Sequence, residues 1–63
     1  MKTPEEFKAE MIQLYGDDAY RIAVSIMCSS ARVGDIKFAT LAADAAKLLM
    51  QEGYHKKPNT KKP

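Results

Sequence analysis

The stretch YGDDAYRIAVSIMCSSARVGDIKF (residues 15–38) contains two Gly-Asp steps, Gly16-Asp17 and Gly34-Asp35. Glycine readily adopts the left-handed conformation just past a helix end, and aspartate is among the best residues for capping the next helix. The two steps, with Gly53 after the last apolar segment, predict an all-α fold in which Asp17 and Asp35 are helix caps. The three short helices are predicted at about residues 4–15, 18–32 and 36–52.

The first predicted helix has a well-formed start signal. Thr3 as cap, Pro4 at the first helical position and Glu6 three residues after the cap match the capping-box pattern. The apolar residues of this helix follow one narrow stripe, which predicts a helix with a single buried face. The stripe consists of Phe7, Met11, Leu14 and Tyr15.

The second and third helices carry more apolar surface than one buried face requires. Helix 2 leaves only a narrow polar wedge of Arg21, Ser25 and Arg32. Helix 3 has a large-residue face and, beside it, a face of alanines spaced by three and four residues, which lets a neighbouring helix approach closely. The large-residue face consists of Phe38, Leu41, Leu48 and Leu49. We therefore expect helices 2 and 3 to form a hairpin core.

The apolar surplus also predicts self-association into a dimeric or higher-order helical bundle. A chain of 63 residues buries only about 60% of its unfolded surface, so it gains from covering more. The residues predicted to form the self-interface are Ile22, Ile26, Ala39, Ala42, Ala43 and Ala46. The alternative is a compact monomer in which helix 2 lies between helices 1 and 3.

Charge is distributed unevenly along the chain. Residues 1–54 carry six basic side chains and all eight acids, whereas the last nine, HKKPNTKKP, carry four lysines and no acid. A segment so polar cannot bury enough surface to fold. The sequence thus predicts a domain at residues 1–54 and a disordered basic tail at residues 55–63.

The inventory of chemical groups argues against an enzyme. Cys28 is the only cysteine and His55 the only histidine, and Cys28 lies at the margin of an apolar arc, where a small core or boundary role is expected. Asp17 and Asp18 suit a helix start better than catalysis, and Asp44 pairs naturally with Lys47 on a helix surface. We expect no catalytic residue, no metal site and no cofactor.

Nucleic-acid binding is the main alternative to a protein partner. A basic stripe would form if the wedge of helix 2 faced the same way as the tail lysines. Its candidate contacts are Arg21, Arg32, Lys56, Lys57, Lys61 and Lys62. A helix-turn-helix is not favoured, because helix 3 would begin with an acid and two large apolar residues, Asp35, Ile36 and Phe38, where base contacts are required.

The chain is expected to be cytoplasmic. Its longest stretch without charge, residues 22–31, is about half the length of a membrane-spanning helix. The first residues, MKTPEEFKAEM, contain no apolar run of the kind found in a signal peptide. We therefore expect no membrane association.

The run PEEFKAEM at residues 4–11, followed by Arg21, Val24 and the Met27-Cys28 pair, resembles small uncharacterised helical proteins encoded by bacteriophages and prophages. The resemblance covers about the first half of the chain. It implies an accessory protein that binds a host or phage macromolecule, and it assigns no functional residues. Together with the apolar surplus, it predicts a small non-catalytic protein-interaction module.

Overall fold

The computed structural model describes residues 2–56, and within that range the chain is helical, with no strand. The elements in chain order are α1 (Pro4–Tyr15), a 3-10 turn (Gly16–Asp18), α2 (Ala19–Arg32), α3 (Ile36–Gln51) and a C-terminal 3-10 turn (Tyr54–Lys56). The predicted all-α class is confirmed, as is the hairpin packing of α2 against α3. Relative to the predicted bounds, α2 begins one residue later and α3 ends one residue earlier.

The predicted capping box holds the start of α1. The Glu6 backbone N–H donates to Thr3 Oγ1 (3.2 Å), and the Thr3 backbone N–H donates to Glu6 Oε1 (3.0 Å). Pro4 occupies the first turn, where a missing N–H does no harm. Two of the backbone groups that a helix start leaves unpaired are thereby satisfied.

The turn between α2 and α3 combines a helix stop with a helix start. Gly34, at φ +86°, donates its N–H to the Ala31 carbonyl (3.1 Å), and the Asp35 N–H donates to the Ser30 carbonyl (2.8 Å). This is the hydrogen-bond pattern of a Schellman motif. Asp35 then caps α3, because its Oδ1 accepts from the Phe38 N–H (3.2 Å). The predicted cap at Asp35 is confirmed.

The predicted cap at Asp17 is wrong. Asp17 lies inside the 3-10 turn that follows α1, and the residue flanking α2 is Asp18, whose side chain makes no capping hydrogen bond. Asp18 Oδ2 instead accepts from the Arg21 guanidinium (3.4 Å). The tighter 3-10 winding continues the chain without a break after Gly16, so no extended residue is left to serve as cap.

The core is built largely from alanine. Six of the buried apolar residues within 2–56 are alanines, two of them on α2 and four on α3, the two helices of the hairpin. These alanines are Ala19, Ala23, Ala39, Ala42, Ala45 and Ala46. Leu49 is fully buried beside them, and α1 adds Phe7 and Met11. Small side chains let the two helix backbones come close, as the small-residue face of helix 3 predicted.

Three side-chain contacts attach α1 and the C-terminal 3-10 turn to the hairpin of α2 and α3. The Phe7 ring meets Phe38 edge-on, with centroids 5.6 Å apart, and the Lys8 ammonium pairs with Glu52 just past the end of α3. At the C-terminal 3-10 turn, the His55 ring lies 6.0 Å from the Tyr20 ring of α2. The first two residues of the predicted tail, 55 and 56, are therefore part of this 3-10 turn, and the rest of that tail lies outside the described residues.

Candidate functional site

An open groove lies between the start of α1 and the first half of α3. Its volume is about 640 Å³. The groove is lined by Lys2, Pro4, Asp35, Ile36, Lys37, Phe38, Thr40, Leu41 and Asp44. The apolar side chains are supplied mainly by α3, and the polar ones alternate with them along the same helix.

The fold fixes the position of this groove through its local hydrogen bonds and ring contacts. The Asp35 cap sets where α3 begins, and hence which residues of its first turns face outward. Phe38 is held against Phe7, which attaches the groove wall to α1. The groove is thus lined mainly by residues of α1 and α3, with Lys2 and Asp35 just before the two helices.

Large apolar side chains remain exposed on this side of the molecule. Ile36 is 63% exposed and Phe38 is 39% exposed, while Leu41 is half-buried. Val33, in the turn that leads into α3, is 79% exposed. Exposed apolar residues grouped beside a concave surface mark sites where a protein binds another molecule.

Two of the four charged residues that line the groove, Lys37 and Asp44, lie on one stripe of α3. Lys37 and Asp44 are seven residues apart, close to two helical turns, so they project from nearly the same side at about 10 Å separation. Neither makes an ion pair with any residue in the range 2–56. The predicted pair of Asp44 with Lys47 is therefore not formed.

The residues predicted for a self-interface do not form one common exposed surface. Ala42 and Ala46 belong to the core cluster, so their packing surface is already occupied within the chain, and Ala39 is buried as well. Ala43, Ile22 and Ile26 are half-buried, and the two isoleucines pack against the core cluster.

The groove was not predicted from the sequence, although a signal for it is present there. Ile36 and Phe38, at the start of helix 3, served as evidence against a helix-turn-helix, and Phe38 was also assigned to the large-residue face, but neither was assigned to a binding surface. Large apolar side chains in a first helical turn, next to an N-cap and a connecting turn, are hard to cover in a short hairpin. The placement of Ile36 and Phe38 in the first turn of helix 3 could therefore have indicated an exposed apolar surface there.

The predicted nucleic-acid contacts are only partly grouped. Arg21 and Arg32 are both exposed on α2, and Arg21 is held by Asp18. Lys56 is exposed in the C-terminal 3-10 turn. The other predicted contacts, Lys57, Lys61 and Lys62, lie outside the described residues.

The described part of the chain brings no catalytic set together. Cys28 is exposed on α2, which corrects the expectation that it occupies the core or its boundary. Within residues 2–56, no group of three or more histidine, cysteine or acidic side chains is placed to hold a metal ion. The buried polar residue of α2 is Ser30, which the sequence argument did not single out.

None of the helices in residues 2–56 is long and apolar enough to cross a bilayer. Comparison of the chain with protein-family models, with curated proteins and with solved structures gave no match.

Proposed function

We propose that this protein is a small, non-catalytic protein-interaction module of the cytoplasm and that the groove beside α3 is its contact surface. The observation that carries the proposal is the exposure of Ile36 and Phe38 in an open, structured groove. The accessory role implied by the resemblance to phage-encoded proteins belongs to the same proposal, as does association of the three-helix body into oligomers.

The make-up of the groove supports a protein partner. Protein interfaces combine an apolar centre with a polar rim. Here Ile36, Phe38 and Leu41 supply the apolar centre, and Lys37, Thr40 and Asp44 supply the rim. A rim with both signs of charge suits another protein surface better than a polyanion, which the groove lysines would attract but the groove acids would repel.

Site-specific photo-crosslinking in cells tests this proposal. A photoreactive amino acid replaces Thr40, which is exposed in the groove, and a matched variant carries it at Ser25, which is exposed on α2. We expect defined protein adducts from position 40 and none of comparable yield from position 25. Equal yields from both positions, or no protein adduct from position 40, would reject the groove as a contact surface.

A second candidate function, nucleic-acid binding, is favoured by one observation. Arg21 and Arg32 are exposed on the same polar wedge of α2, about 16 Å apart at the rise of an α-helix. The test is fluorescence anisotropy with a short duplex at low and moderate salt, comparing the full chain with Arg32→Gln and with a chain lacking residues 57–63. Binding that neither change weakens would exclude this stripe and tail as the contact.

A further inference from the structure

The occupant of the groove can be inferred from the order of charges along its edge. Lys37 and Asp44 lie at equal distances from the midpoint between Thr40 and Leu41, and they have opposite signs. A second copy of the same stripe, turned to run antiparallel, places Lys37 of one chain opposite Asp44 of the other. By symmetry, the reciprocal contact forms at the same time.

We propose that the groove binds a second copy of this chain, as an antiparallel two-fold dimer whose axis passes between Thr40 and Leu41 of α3. This inference rests on the proposed function and names its partner. The proposed dimer interface is the Lys37–Asp44 stripe, and not the alanines that were predicted from the sequence and are buried in the fold.

Three properties of the stripe support this occupant over an unrelated protein. Leu41 lies between the two charges, and Ile36 and Phe38 lie on opposite flanks of Lys37, so an antiparallel approach covers Leu41 at its centre and meets the other two at its edges. Lys37 and Asp44 have no ion-pair partner in the described chain, so pairing with a second copy breaks no existing contact. A parallel approach would set like charges opposite each other, so the stripe also selects orientation.

Charge reversal tests the dimer by sedimentation velocity at tens of micromolar. We expect the wild-type chain to sediment as a dimer, and Lys37→Glu and Asp44→Lys each to dissociate about tenfold more readily, because each change turns two symmetric attractions into repulsions. Glutamate near the start of α3 agrees with the helix dipole, so the Lys37→Glu chain should keep its fold. Circular dichroism of each variant checks this.

Mixing the two single variants gives the decisive measurement. A Lys37→Glu chain and an Asp44→Lys chain present opposite charges to each other at both contacts, so the mixture should form a heterodimer although neither variant pairs well with itself. The double variant K37E/D44K should recover the wild-type dissociation constant. Arg32→Glu, an equal charge reversal on α2 outside the groove, should leave the dimer unchanged.

Several results would overturn the inference. These are a monomeric wild-type chain, single variants that dimerise like wild type, or a mixture that stays monomeric. Photo-crosslinking at position 40 separates the two proposals. Adducts with a different protein, together with a monomeric chain, would reject the dimer and leave the proposed function standing, whereas an absence of protein adducts would reject the groove itself.

Discussion

The two sides of α3 differ in how closely they are covered. Toward α2, the helix presents alanines, and the packing is closed, with Ala42 and Ala45 fully buried. On the other side, beside the groove, it presents Ile36, Lys37 and Thr40, all of them exposed, and the surface is open. The difference teaches that position on the helix, rather than hydrophobicity, decides which side chain is covered, because Leu49 is fully buried while Ile36, in the first turn of α3, is 63% exposed. Small residues let two helices meet, while larger ones at the end of a short hairpin find no neighbour to cover them fully.

Leu49→Ala should have the largest effect on stability, because Leu49 is the large side chain that is fully buried on the closed side. We expect a loss of about 2–5 kcal/mol in the free energy of unfolding. A chain of this length has only about 3–9 kcal/mol in total. Urea unfolding followed by circular dichroism measures it. Leu14→Ala, at a 62% exposed position on α1, is the control, and equal losses would contradict the assignment of the core.

Ala42→Leu tests the close approach of α2 and α3 directly. The larger side chain has no room between the helices, so we expect a loss of about 1–3 kcal/mol from overpacking. Ala31→Leu makes the same change at an exposed position of α2 and should alter stability by less than about 0.5 kcal/mol. If Ala42→Leu proved neutral or stabilising, the helices would not be in close contact at that point.

Ile36→Ser should have the smallest effect on stability, because Ile36 lies on the open side. We expect a change within about 0.5 kcal/mol, measured at protein concentrations low enough that self-association does not contribute. The same substitution should weaken dimer formation, which sedimentation at higher concentration would detect. A large loss of stability in the dilute chain would show that Ile36 belongs to the core.

The helix bounds could be predicted because they depend on local chemistry. The Thr3 capping box, Gly34 and the Asp35 cap each act through atoms a few residues apart, so the printed sequence contains what is needed. Asp17 failed as a cap because the chain continues from Gly16 as a 3-10 turn, which the helical periodicity does not predict, and Asp18 makes no capping hydrogen bond either. Whether a helix is followed by a 3-10 turn or by an extended cap residue depends on the backbone conformation of one or two residues.

The face that each helix buries was harder to predict. Helix 3 has two apolar faces, and a periodic pattern cannot say whether the one with Ala42 or the one with Phe38 meets a neighbour within the chain. The ion pair of Lys8 with Glu52 joins residues 44 positions apart, and no local signal connects them. The groove itself depends on the position of α1 over α3, which is a tertiary property.

The alanine packing between α2 and α3 has a consequence for how the chain unfolds. An alanine side chain has no rotamers to lose. Burying six of them therefore adds almost nothing to the side-chain part of the conformational entropy that folding must overcome. The same residues bury little area each, and both the denaturant dependence and the heat capacity of unfolding scale with area. We therefore expect the folded state to melt over a broad range of temperature or denaturant, with a stability that varies gently with temperature.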